Sequence, residues 1–179
     1  MTCARHSFAL LAGVLLPLTS LEASAQARPV SEGDTVPTAQ AVVHALYDLV
    51  TFEAGTTPDW DAVRSLFLPQ AVIVLRTSRT ATTVFTVDGF VDDFVQFIER
   101  ANVEQAGFVE NILRTHTMVF KDMAHVLVLY EASIPGSGRP PQQGVDSFQL
   151  IRQDGRWRIA AVLNDIPDQA HPVPAALRP

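Results

Sequence analysis

Residues 144–167, GVDSFQLIRQDGRWRIAAVLNDIP, restrict this chain more than any other stretch. Two runs of alternating character flank Asp154-Gly155. A two-residue turn between strands asks for positive φ at both positions, which Asp-Gly tolerates and most pairs do not. A tight antiparallel hairpin is therefore predicted, and its turn sets the register. Unbroken alternation opposes Arg152 to Trp157, Leu150 to Ile159, Phe148 to Ala161 and Asp146 to Leu163 on one face. The other face opposes Ile151 to Arg158, Gln149 to Ala160, Ser147 to Val162 and Val145 to Asn164. The first face carries the larger apolar groups. Asp165 falls on it too, diagonal to Asp146 at roughly 7–8 Å.

Two carboxylates at one end of a greasy face admit two readings. If the face borders a cavity, they orient a ligand, or one takes a raised pKa and the pair performs acid–base chemistry. If it does not, Asp165 points to solvent or caps a loop at a strand end. Asp146 then pairs with an arginine such as Arg114 or Arg76. The Phe148/Leu150/Ile159 face is the better candidate for the interior.

The rest of the chain supplies the cover. Residues 39–52 place Val42, Val43, Leu46, Leu49 and Val50 at helical spacing after Thr38, a suitable N-cap. Pro58-Asp59-Trp60 opens a short second helix ended by Pro69, with Trp60, Val63 and Phe67 inward. AVIVLR (71–76) and TATTVF (80–85) read as paired strands. Residues 87–101 form a third helix with Phe90, Val91, Phe94, Val95, Phe97 and Ile98 on one broad stripe. Long strands follow over 108–120 and 124–134, and the second is apolar on both sides, so it needs cover on both. A loop and the hairpin complete the sheet. The class is α+β: three N-terminal helices packed on a strongly curved, mostly antiparallel sheet.

The chain has 179 residues, 47% of them hydrophobic, which suits one domain. Four segments are expected: a signal peptide (1–25), a linker (26–38), the domain (39–167) and a tail (168–179). The signal is FALLAGVLLPLTSL, too short to span a bilayer, followed by Ala23-Ser24-Ala25 with the form of a cleavage site. The expected location is therefore outside the cytoplasm, periplasmic or secreted, with no membrane attachment after cleavage. The only cysteine, Cys3, would leave with the signal, and with it any disulfide or thiolate chemistry. A net charge of −6 argues against nucleic acid as a partner. His44, His116, His125 and His171 show no metal-site spacing, and no glycine-rich phosphate loop or G-x-S-x-G elbow occurs. No cofactor and no metal are expected.

DWDAVRSLFLPQAVIVL, the phenylalanine-rich helix, RTHTMVFKDMAHVLVLYEAS and the closing hairpin together resemble the NTF2-like superfamily. The likeness is nearest to its bacterial SnoaL-like or DUF4440-like branch and covers residues 39–167. It implies a cone of bent sheet and helices around a cavity, and frequent homodimers through the sheet. Some such proteins are isomerases, dehydratases, epoxide hydrolases or cyclases. Tyr47 matches the first-helix tyrosine of the isomerase type. That type's catalytic aspartate is missing, because VIVLRT (72–77) holds Leu75 and Arg76 with no carboxylate. No Asp-Arg-Asp set matches the epoxide hydrolases.

His116 shares a strand face with Ile112, Arg114, Met118 and Phe120, as a cavity base or as a core histidine. Glu131 belongs either to the cavity or to a solvated strand end. Tyr47 and Trp60 are ligand contacts or core packing. The candidate catalytic residues are thus His116, Asp146 and Asp165, and the candidate pocket holds Tyr47, Trp60, Arg114, His116, Glu131, Phe148 and Leu163. The leading expectation is a small, largely apolar ligand in the cone. The alternative is an acid–base enzyme using His116 or the Asp146/Asp165 pair, and a third is a structural dimerisation module.

Overall fold

The structure, a computed structural model, describes residues 37–78 and 80–178. The expected signal peptide and residues 26–36 of the expected linker lie outside the described residues. Among the described residues three α-helices, five long strands and the short β2 form in the order α1 (Ala39–Val50), α2 (Trp60–Ser65), β1 (Phe67–Arg76), β2 (Thr82–Phe85), α3 (Val87–Arg100), β3 (Val109–Phe120), β4 (Met123–Ser133), β5 (Gln142–Gln153) and β6 (Arg156–Asp165). The three helices are not a continuous N-terminal group, since β1 and β2 separate α2 from α3. Each helix starts on a side-chain cap. Thr38, Asp59 and Thr86 accept from the backbone N–H of Ala41, Ala62 and Gly89 at 3.1, 2.9 and 3.1 Å.

One mixed sheet runs β2-β1-β6-β5-β4-β3. Every pairing is antiparallel except β1 with β6, which is parallel. The second helix stops at Ser65, earlier than Pro69, and β1 begins at Phe67. Pro69 lies where the β1–β6 register skips from Phe67 to Val72, so the ladder does not need its missing N–H.

The Asp154-Gly155 turn forms, with φ of 49° and 76°. From there Gln153 opposes Arg156, Arg152 opposes Trp157 and Leu150 opposes Ile159, as alternation predicts. Beyond Leu150 the register slips by one, because Ala160 is an extra residue on β6. Phe148 then faces Val162, and Asp146 faces Asn164. A bulge of one residue turns everything past it to the opposite face. Leu163 and Asp165 therefore leave the inner face, and Val162 and Asn164 replace them. A second bulge at Leu113 on β3 acts in the same way: Arg114 pairs with Leu129 while Ile112 pairs with Tyr130. It turns Ile112 and Glu110 inward.

α1 lays Val42, Val43, Leu46 and Val50 against Val126, Val128, Phe148 and Ile159, all buried. A smaller cluster of Phe52, Ile98, Val103 and Phe108 closes the other end, with Phe94 and Phe97 against it. The outer side of β4 gains its cover from the tail. A 3-10 turn at Ala175–Leu177 packs on β3 and β4, and Leu177 and Leu129 are both buried.

Candidate functional site

Between the helices and the inner sheet face lies a cavity of about 490 Å3. Its walls are largely aromatic: Phe90, Phe94, Phe97, Phe108 and Phe148 all reach it. The polar groups enter on strands, on α1 and from the loop after β4, with Arg76 and Arg139 among them. Asp146 of β5 is the centre. Tyr47 Oη donates to its Oδ2 at 2.5 Å, and Asn164 Nδ2 donates to its Oδ1 at 2.7 Å. Asn164 Nδ2 also lies 3.0 Å from Tyr130 Oη. Tyr47 is buried on α1, one turn before the helix ends, and its ring centroid is 5.7 Å from that of Tyr130.

Tyr130 can lie there because Gly144 opposes it on β5. A Cβ at Gly144 would overlap the phenol oxygen and ring of Tyr130. The φ of Gly144 is not in the left-handed region, so this glycine is needed for space and not for backbone freedom.

Glu110 of β3 completes the set. It lines the cavity and is half-buried, and no side-chain hydrogen bond reaches its carboxyl among the described residues. Its backbone is held by Thr51, which receives a hydrogen bond from Glu110 N at 2.9 Å. Burial pushes Glu110 up to about 8, with the charge of Asp146 adding to the effect. Burial pushes Asp146 up to about 6, against the opposing pull of its bonds from Tyr47 and Asn164. Burial and then Asp146 raise Tyr47 and Tyr130 far above the ordinary phenol range, so both stay protonated donors. Near neutral pH the cavity thus holds one carboxylate, Asp146, and one neutral carboxylic acid, Glu110.

The expected site residues fall into two groups. Tyr47, Asp146 and Phe148 line the cavity. Trp60 does not, and packs on Phe94 at 5.4 Å between centroids. Arg114 and His116 are exposed on the outer face, paired with Leu129 and Leu127. The Leu113 bulge separates that face from Ile112, so the expected grouping of His116 with Ile112 is corrected. Glu131 lies on the outer side of β4 opposite Asn111, and Leu163 is 49% exposed.

Asp165 is exposed and is not a partner of Asp146. It accepts from Arg76 Nη2 at 2.8 Å and Nε at 3.1 Å at the cavity rim, and the Arg76 bond holds its pKa below the usual range. Asn164 belongs to the site although unbroken alternation puts it outside, and Glu110 belongs to it although Arg114 and His116, which unbroken alternation puts on the same face, do not. The three-residue set His/Cys/Asp/Glu that a metal would need does not occur among the described residues.

No family model matches this chain, and no curated protein matches it in sequence. Solved structures do match in fold. An NTF2-like protein with a cystatin-like fold from Novosphingobium aromaticivorans superposes with a TM-score of 0.57 at 16% identity, over 76% of this chain and 82% of that one. The chain has the NTF2-like fold. An uncharacterised protein with a cystatin-like fold from Caulobacter vibrioides gives 0.56 at 14% identity, over 73% and 88%. A third, from Novosphingobium aromaticivorans and named a proposed aromatic ring hydroxylase, gives 0.52 at 19% identity, over 71% and 85%. The six-stranded mixed sheet and three helices are consistent with the NTF2-like cone.

Proposed function

We propose that this NTF2-like domain binds a small, largely apolar molecule in its cavity, with the ligand's polar end at Asp146. The observation that carries the reading is a 490 Å3 space with phenylalanine walls and a hydrogen-bonded carboxylate at one place on its lining. Apolar walls supply affinity, and a few fixed polar groups supply orientation. The test uses Nile red, a neutral apolar dye that brightens on leaving water. Saturable binding should be seen with the natural chain and lost in Ala132→Phe, which puts a ring into the lining. Equal dye binding by both proteins would remove the reading.

A second reading is acid–base catalysis, the isomerase, dehydratase or cyclase type. Asp146 favours it, now beside Glu110 in place of His116 or Asp165. Two carboxyls whose environments leave one charged and one neutral are suited to be base and acid. Deuterium exchange next to the carbonyl of a cyclic ketone, followed by NMR, should be catalysed and should stop in Asp146→Asn.

The reading also includes export and a homodimer through the outer sheet face. Met118, Phe120, Met123 and Leu163 support the dimer, because all are exposed on that face. Light scattering on the purified domain should give twice the chain mass, and a monomer at every concentration would dismiss it.

A further inference from the structure

The charge balance of the cavity narrows the ligand class. This step rests on the binding reading above. Asp146 is a half-buried carboxylate on the cavity wall, and among the described residues its hydrogen-bond donors are two neutral groups, the Tyr47 phenol and the Asn164 amide. Glu110 opens onto the same space with no donor at all among the described residues. Arg76 and Arg139 also line the cavity, but Arg76 engages Asp165 at the rim, Arg139 is exposed on the loop after β4, and among the described residues no arginine acts on the state of either carboxyl. The two carboxyls are pushed up by burial, and no cation pulls either of them down.

An anion partly withdrawn from water with no counter-charge beside it is costly, and a partner that brings positive charge and N–H donors relieves it. Each oxygen of Asp146 takes one protein donor and retains capacity for another. The surrounding surface suits the same partner. Tyr47 meets Asp146 through its hydroxyl, with the Tyr130 ring 5.7 Å from that of Tyr47, and Phe94, Phe97 and Phe108 cluster at 5.5–5.8 Å between centroids on the same wall. Aromatic rings attract a desolvated cation through their quadrupoles. At Asp146 a carboxylate ligand would meet repulsion, and a neutral alcohol would leave the charge of Asp146 unbalanced.

We propose that the cavity selects an apolar monocation: a primary or substituted amine on a hydrocarbon body, its ammonium set between Asp146 and Glu110 and its body against the phenylalanines. The ammonium donates to Asp146, and the free carboxyl of Glu110 accepts a second N–H.

Matched probes test this by calorimetric titration near neutral pH. Cyclohexylmethyl and adamantylmethyl bodies are each presented as the amine, the alcohol and the carboxylic acid. The amines should bind about tenfold or more tighter than the alcohols, the equivalent of one good charge-assisted contact. The acids should not bind. In Asp146→Asn the amine should fall at least to the affinity of the alcohol, while the alcohol changes little. Glu110→Gln, with an unchanged circular dichroism spectrum, should weaken the amine several-fold and serves if Asp146→Asn does not fold. Alcohols binding as well as amines, or amines indifferent to both substitutions, would overturn the charge selection while the binding reading stands. Failure of all probes together with failure of Nile red would remove both.

Discussion

Asp146 owes its state to two neighbours on different elements. The phenol of Tyr47 and the amide of Asn164 oppose the upward push of burial, and the result is a carboxyl near 6. Tyr47→Phe removes the 2.5 Å bond and leaves the burial. The pKa of Asp146 should then rise above about 6, read by carbon NMR across a pH titration, with about 1–3 kcal/mol of stability lost near neutral pH for an acceptor left short of its donor. An unmoved titration would mean that Tyr47 does not set the state of this carboxyl. Tyr130 depends on a different residue. Gly144→Ala places a methyl group where the Tyr130 ring lies. The ring must shift away from Asn164, and the overlap should cost about 1–3 kcal/mol in a urea melt. Phe at position 130 would meet the same methyl, so Tyr130→Phe should not rescue Gly144→Ala.

The strands show what a sequence discloses and what it withholds. Alternation and an Asp-Gly turn are local signals, so the hairpin, its turn and its first pairs from Gln153 to Leu150 were legible. Helices α1 and α3 were legible for the same reason, apolar spacing, with the Thr38 cap marking the start of α1. Bulges have no such signal. Ala160 is one of two alanines in RIAAVLND, and nothing in its chemistry marks it as the extra residue. Leu113 is one apolar residue within ENILRTH. These two insertions decide which side chains see the cavity, so Asp146 and Phe148 could be placed, Asn164 could not, and Glu110 could not be told apart from Arg114 and His116. Parallel pairing of β1 with β6 is equally non-local, and so was also hidden. Deleting Ala160 is the direct test at this scale. Strict alternation would drive Leu163 and Asp165 inward and expel Val162 and Asn164. The Arg76–Asp165 ion pair could not survive that turn. A loss of about 3–5 kcal/mol is expected in a denaturant melt, in the range left by an unpaired buried charge. Deletion of Ala176 in the tail provides a comparison that leaves the hairpin register alone. A milder loss for the Ala160 deletion than for the Ala176 deletion would show that the bulge is dispensable.

Two inward carboxyls on which no cation acts among the described residues tie the stability of the whole domain to pH. Both have folded pKa values above their ordinary ones, Glu110 from 4.5 to about 8 and Asp146 from 3.8 to about 6. The folded state therefore holds protons more tightly than the unfolded chain. Protonation supports folding fully below the unfolded values, and that support is lost as pH rises through the folded ones. Asp165 runs the other way, since Arg76 lowers its pKa, but it is exposed and acts only in acid. Stability should thus be greatest on the acid side of neutral and fall between about pH 4 and pH 8, by at most about 1.4 kcal/mol per pH unit for each group within its own window. Only Glu110 acts between about 6 and 8, so Glu110→Gln should flatten the curve there and leave the fall below 6 in place. Melting temperature against pH for the two proteins gives the comparison. An amine that binds as inferred should act as that substitution does, because its charge favours both carboxylates and lifts stability most at the alkaline end. A curve that stays flat from 4 to 8 in the free protein would mean that water, reaching the cavity through its mouth, already solvates both groups.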